Sequence, residues 1–209
     1  MARRYTKEEL KAMLHRSTFH VAFTEGIERI TVRKVSAGCG LSDPYIYQCY
    51  SDMTELLETA FMEIDREVST MMGRLIQESL PHIQTTKELE QACWLMWNAY
   101  WKFLMEDPER TVFYWRYYQS AYYSQELLER RREHFKTFVD LISEMEGAFG
   151  IADKIPVNVL VSNIIDGTVS VAVKIHLGYM SEENITAQSV YQSVFALPYH
   201  LLGIQMWQE

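Results

Sequence analysis

An all-α fold is what this sequence predicts, and three observations predict it. In 209 residues there are only nine Gly and five Pro, too few to punctuate a many-stranded sheet architecture. Apolar side chains recur at three- and four-residue spacing along most of the chain, and helix-favouring Leu, Ala, Glu and Gln are frequent beside 11 Met. Capping patterns precede several of these runs. Hydrophobic residues make up 48% and charged ones 23%, so the chain has the material for a real core and the surface of a soluble globular protein. Its length fits one large domain or two small ones.

The first helix follows Thr6, which pairs with Glu9 as a capping box; Leu10, Met13, Leu14 and Val21 share one face until Gly26 stops it. Thr31 caps a short second helix to about Ala37, with Val32 and Val35 inward and Gly38-Cys39-Gly40 as the break. A very short third helix starts from a cap at Ser42 or Asp43, takes Pro44 in its first turn and ends near Tyr50. From Asp52 and Glu55 a long helix of roughly seven turns carries Leu57, Ala60, Phe61, Ile64, Val68, Met71, Met72 and Leu75 as far as Pro81. Thr85 with Glu88 opens the next, which ends at Asp107-Pro108. Glu109 to Gly150 holds two helices joined near Ser124. One more runs from about Ile155 to Leu177, and a last one, kinked by Pro198, begins after Ser181 or Thr186. The sum is about nine helices: a three-helix unit at 1–52 containing a helix-turn-helix, and a larger helical domain at 53–209. No repeat, low-complexity tract or flexible linker separates them.

Charge is distributed unevenly. The formal charge is −8. Residues 1–50 nevertheless carry eight basic side chains (Arg3, Arg4, Lys7, Lys11, Arg16, Arg29, Arg33, Lys34) against five acidic ones (Glu8, Glu9, Glu25, Glu28, Asp43), so the acidity belongs to the remainder. A basic end on an acidic body suits a small polyanion-binding module attached to a domain with another task. The three cysteines, Cys39, Cys49 and Cys93, form no C-x-x-C pair, which speaks for a reducing cytoplasm and against a disulfide framework or thiolate zinc site. Met1 to Tyr5 runs straight into charged residues with no apolar stretch behind the two arginines, so no export signal is expected there. Val157 to Leu177 is interrupted by Asn158, Asn163, Asp166, Lys174 and His176, so no membrane span is expected.

Two short helices joined by a Gly-containing turn are the physical minimum of a helix-turn-helix, in which the first braces the second in the DNA major groove. Thr31 to Tyr50 supplies such a unit. The hydroxyls of Thr31, Ser42 and Tyr47 are placed to hold phosphates, Arg33 and Lys34 add charge, and Asp43, Pro44, Tyr45 and Gln48 are candidates to read base edges. The alternative is that Thr31 and Ser42 only cap helices, and that Tyr47 and Tyr50 fill a small core.

The stretch Gly26 to Tyr50, extended through Asp52, Glu55, Leu56 and Leu57, resembles the DNA-binding region of the tetracycline repressor (TetR) family of bacterial regulators. The likeness rests on Thr31-Val32-Arg33 opening helix two, the Gly40-Leu41-Ser42 turn and the Ile46-Tyr47 pair. It covers about 50 of the 209 residues. It implies a homodimeric, ligand-responsive regulator bound to a near-palindromic operator. Two positions depart from the family pattern: Asp43 and Met53 stand where a basic residue is frequent, which weakens phosphate attraction.

In the acidic body, Trp94, Trp97, Tyr100, Trp101, Phe103, Phe113, Tyr114, Trp115, Tyr117, Tyr118, Tyr122 and Tyr123 crowd a short stretch. Broad rings with polar tips suit a small-molecule cavity, with Trp94, Trp97, Tyr100, Trp101, Tyr114, Trp115, Tyr118 and Tyr122 as candidate ligand contacts for an aromatic or hydrophobic effector. The alternative is a bulky core. Leu160, Ile164, Val171 and Ile175, with Val190, Val194, Leu197 and Leu201 from the last helix, are candidates for a two-fold four-helix contact between subunits. The polar stripe Asn163, Asp166, Gly167, Ser170 and Lys174 lies opposite the first four.

An enzyme is the main competing class. The six histidines are scattered without H-E-x-x-H or paired Glu-x-x-His, and neither a dinucleotide fingerprint, a phosphate loop nor a G-x-S-x-G elbow occurs. No catalytic residue, metal or cofactor is expected. The sequence therefore points to a transcription regulator of double-stranded DNA, a repressor released by a small molecule. The alternatives are a helical ligand-binding protein with a degenerate DNA module and, further off, a helical enzyme.

Overall fold

The computed structural model describes residues 5–141 and 156–202. Arg3 and Arg4, and the stretch expected to be helical up to Gly150 beyond residue 141, lie outside them. The described residues form α1 (Lys7–Glu25), α2 (Val32–Gly38), α3 (Pro44–Tyr47), α4 (Met53–Ser79), α5 (Thr86–Glu106), α6 (Pro108–Tyr118), α7 (Gln125–His134), α8 (Val157–His176) and α9 (Ala187–Leu202). Helical backbone also covers 136–141, and single 3-10 turns sit at Ile27–Arg29, Leu80–His82 and Glu182–Asn184. Among the described residues there is no strand.

Local chemistry sets most of these boundaries. The Thr6 hydroxyl accepts from the Glu9 amide at 3.1 Å while the Glu9 carboxylate accepts from the Thr6 amide at 2.8 Å, closing the capping box of α1. Thr31 accepts from the Lys34 amide at the start of α2, Thr85 and Glu88 pair reciprocally before α5, and Asp107 caps α6 ahead of Pro108. The start of α3 differs from expectation. Neither Ser42 nor Asp43 caps it with a side chain, because Asp43 already has helical backbone angles, φ −49° and ψ −38°. The α-helix is a single turn, prolonged only by turn bonds to Tyr50. At the other end of the chain, α9 continues through Pro198 without a break.

The chain divides into two compact units: Met1–Arg66 with Asp107–Arg131, and Glu67–Glu106 with Arg132–Glu209. In the first, Leu14, Ile27, Val35, Ile46, Leu56, Leu57, Phe61, Val112, Phe113 and Tyr117 are almost wholly buried. Each such side chain contributes about 1.5–3 kcal/mol relative to exposure. In the second, α5, α8 and α9 pack together around Leu89, Trp97, Leu104, Val169, Ala172, Val190 and Tyr199. By length and composition Asn158–His176 is apolar enough to cross a membrane. It is tied to α5 instead by Trp97 Nε1 donating to Thr168 Oγ1 at 2.9 Å and by His176 Nε2 meeting the Leu104 carbonyl at 2.9 Å.

Candidate functional site

The first unit holds the helix-turn-helix. Its turn depends on Gly40, whose φ of +68° lies in the left-handed region that favours glycine, and on the Leu41 amide returning to the Ser36 carbonyl at 2.9 Å. The scaffold behind it is tight. Ser17 Oγ on α1 donates to the Val35 carbonyl at 2.8 Å, and a Cβ on Gly38 would come within 2.2 Å of Ser17 Oγ, so glycine at 38 leaves room for this bond between α1 and α2.

Helical spacing then sorts the α3 side chains. Ile46 and Tyr50 turn inward and are buried, which leaves Asp43, Pro44, Tyr47 and Gln48 exposed, Tyr47 at 59%. Tyr45 is half-buried, its ring edge-on to Tyr5 at 6.5 Å between centroids. Ser42, Thr31 and Arg33 are exposed as well. Lys34 is placed otherwise: its Nζ donates to Glu25 at 2.6 Å and to the Arg29 carbonyl at 3.0 Å, so its charge is engaged within the module.

Residues that the sequence did not single out anchor this module. His15 on α1 is buried, its Nε2 2.7 Å from the Tyr50 hydroxyl and its Nδ1 2.6 Å from a Glu63 carboxylate oxygen on α4. Burial lowers the His15 pKa below its ordinary value, against the opposing pull of Glu63. Arg16 reaches Asp107 at 2.6 Å and Glu109 at 3.3 Å, His20 meets Glu109 at 2.8 Å, and Arg116 on α6 donates to the Ala22 and Phe23 carbonyls near the end of α1. An opposite-charge pairing across some ninety residues leaves no local signature.

The aromatic candidates fall into two clusters, one per unit. In the first unit, Phe61 stacks on Tyr114 (4.9 Å) and Tyr117 (4.6 Å). The Arg131 guanidinium lies 5.4–5.8 Å over Phe61, Tyr114 and Tyr118. Asp65, fully buried on α4, accepts from Arg131 Nε at 2.7 Å and from the Tyr114 hydroxyl at 2.8 Å. A carboxylate one residue after Ile64, on the apolar side of α4, was the signal for this group. Trp115 and Tyr118 are half-buried, and Tyr122 is exposed.

In the second unit, Trp94, Trp97 and Trp101 stack in series at 5.7 and 5.6 Å, and Tyr191 packs against the first two. Tyr100, Trp97 and Trp101 are buried, whereas Trp94 is half-buried. Burial raises the thiols of Cys39, Cys49 and Cys93, the last up to about 12, which makes them poor nucleophiles. Among the described residues no group of His, Cys, Asp or Glu is arranged to hold a metal ion.

Of the candidate subunit contacts, Leu160, Ile175 and Val190 are buried within the chain itself. Ile164, Val171, Val194 and Leu201 are half-buried, and Leu197 is exposed at 44%. Val159, at 46%, is a further exposed apolar residue on α8.

No family model and no curated protein matches the chain. Solved structures do. A TetR-family transcription regulator from Marinobacter aquaeolei VT8 matches with a TM-score of 0.73 at 15% identity, over 92% of this chain and 94% of its own. A TetR-family regulator from Haemophilus influenzae Rd gives 0.65 at 17%, over 92% and 98%. The fatty acid degradation regulator FadR from Bacillus halodurans gives 0.61 at 17%, over 99% and 100%. At such identities the likeness is one of fold.

Proposed function

From the premise that the chain has the fold of TetR-family transcription regulators, we propose that it is a ligand-responsive transcription regulator, acting as a homodimeric repressor on double-stranded DNA. Residues 1–52 form the reading head and 53–209 the effector and dimerisation domain. The observation that carries this proposal is the sorting of α3: Ile46 and Tyr50 hold it to the core while Asp43, Pro44, Tyr47 and Gln48 face outward. Thr31, Ser42 and Tyr47 position phosphates with Arg33, and the outward α3 residues, with Tyr45 at their side, read bases. Two copies place their third helices in successive major grooves, about one helical turn apart.

Dimerisation uses the α8 and α9 faces that one chain leaves open, around Ile164, Val171, Val194, Leu197 and Leu201. A small hydrophobic or aromatic effector binds among the aromatic side chains and favours a geometry with mismatched reading heads, a coupling of about 1–3 kcal/mol. The chain works as a cytoplasmic regulator and not as an enzyme.

Selection of bound duplexes from a random pool tests this directly: an enriched near-palindrome is the expected result, and no enrichment at moderate salt refutes it. The second reading, a ligand-binding dimer with silent reading heads, is favoured by Asp43 and Met53 and predicts the latter outcome.

A further inference from the structure

A DNA-reading helix ordinarily uses Arg or Lys, whose paired contact to guanine O6 and N7 is the commonest specific one. This chain has no Lys, Arg or His between Lys34 and Arg66. The whole of α3 and its flanks therefore lacks a strong donor for guanine, and the outward group at the entrance to α3 is a carboxylate. Asp43 is exposed and makes no capping bond, so local structure gives it no task. It shares a face with Tyr47, four residues on, the most exposed ring of the module.

The hydrogen-bond chemistry of the groove then decides what such a group accepts. A carboxylate offers acceptors only. Guanine (O6, N7) and thymine (O4) present acceptors to it and repel it. Adenine has an amino donor, but its N7 acceptor lies alongside. Cytosine presents the N4 amino donor with no acceptor on its own edge. Resting on the regulator reading, we infer that Asp43 is a specificity-determining residue that selects cytosine at one position of each operator half-site. The same charge repels neighbouring phosphates and so holds down binding to every other sequence.

The experiment is the random-pool selection run in parallel on the full-length wild type, Asp43→Asn and Asp43→Ala. Unchanged unfolding temperatures are expected for both variants, since the side chain is exposed and uncapping. The wild type should prefer cytosine about tenfold at one position per half-site. Asp43→Asn should move that position to adenine, because an amide pairs with adenine N6 and N7 together, and Asp43→Ala should flatten it. Both should bind unrelated duplexes several-fold more tightly. A wild-type palindrome that both variants recover unchanged, or that they alter only where wild type prefers a base other than cytosine, overturns the assignment and leaves the regulator reading standing. No enriched sequence for the wild type overturns both.

Discussion

Arg33 and Lys34 are neighbours in the chain with different electrostatic surroundings. Arg33 is exposed on α2, whereas the Lys34 ammonium is held by Glu25 and the Arg29 carbonyl. If phosphate attraction comes from Arg33, Arg33→Ala should weaken binding to all duplexes alike and reduce the slope of log affinity against log salt by about 0.9, whereas Lys34→Ala should change it by less than half as much; titrations at several salt concentrations distinguish them. Sequence alone assigned both cations to DNA. The partner that separates them is nine residues upstream and is brought back by the turn after Gly26, which composition does not register. His15 is another case. Its folded pKa is lowered below 6.5, chiefly by burial, so the unfolded chain takes up a proton first as pH falls. Its contribution to stability is complete above pH 6.5 and disappears as pH drops toward the folded value. Glu63, Lys11 and Tyr50 are the groups around it. Unfolding midpoints between pH 7.5 and 5.5 should fall more steeply for wild type than for His15→Gln.

At the scale of helices, the side-chain cap expected at Ser42 or Asp43 does not form, but those at Thr6, Thr31 and Thr85 were legible because each acts within four residues. The inward turn of α7 was not. It carries three consecutive arginines, of which Arg130 pairs with half-buried Glu58 while Arg131 enters the aromatic cluster to meet Asp65. Nothing in the local pattern of a charge-rich helix distinguishes the second from its neighbours. Arg131→Met leaves a buried carboxylate without its main cation and should cost about 3–5 kcal/mol in denaturant unfolding. The double variant Asp65→Leu/Arg131→Met should recover most of that loss, since a well-packed apolar pair of similar volume replaces a buried ion pair at little cost. A double variant no more stable than Arg131→Met would mean that the rings depend on the charge for their arrangement. The aromatic density was visible in the sequence. Its division between two units was not, because Trp94–Trp101 lie on α5 and Tyr114–Tyr118 on α6, and these two helices, consecutive in the chain, belong to different units.

For the whole molecule, the proposed function requires two chains. Leu197 is exposed while Ile175 is buried, so the same change at the two positions should have different results. Leu197→Glu should leave a folded monomer in sedimentation and, by unlinking the two half-sites, weaken operator binding at least a hundredfold. Ile175→Glu should instead lower the unfolding temperature, as a charge enters the core of the second unit. A dimeric Leu197→Glu protein would move the contact away from α9. The fit between Ser17 and Gly38 also couples the two positions. A methyl group at 38 collides with the Ser17 hydroxyl but stands 3.4 Å from its Cβ, an ordinary contact distance. Alanine at 38 therefore requires the Ser17 hydroxyl to turn away and give up its bond to Val35, whereas with alanine already at 17 the same methyl group meets only an ordinary contact, so the cost of either change depends on whether the other has been made.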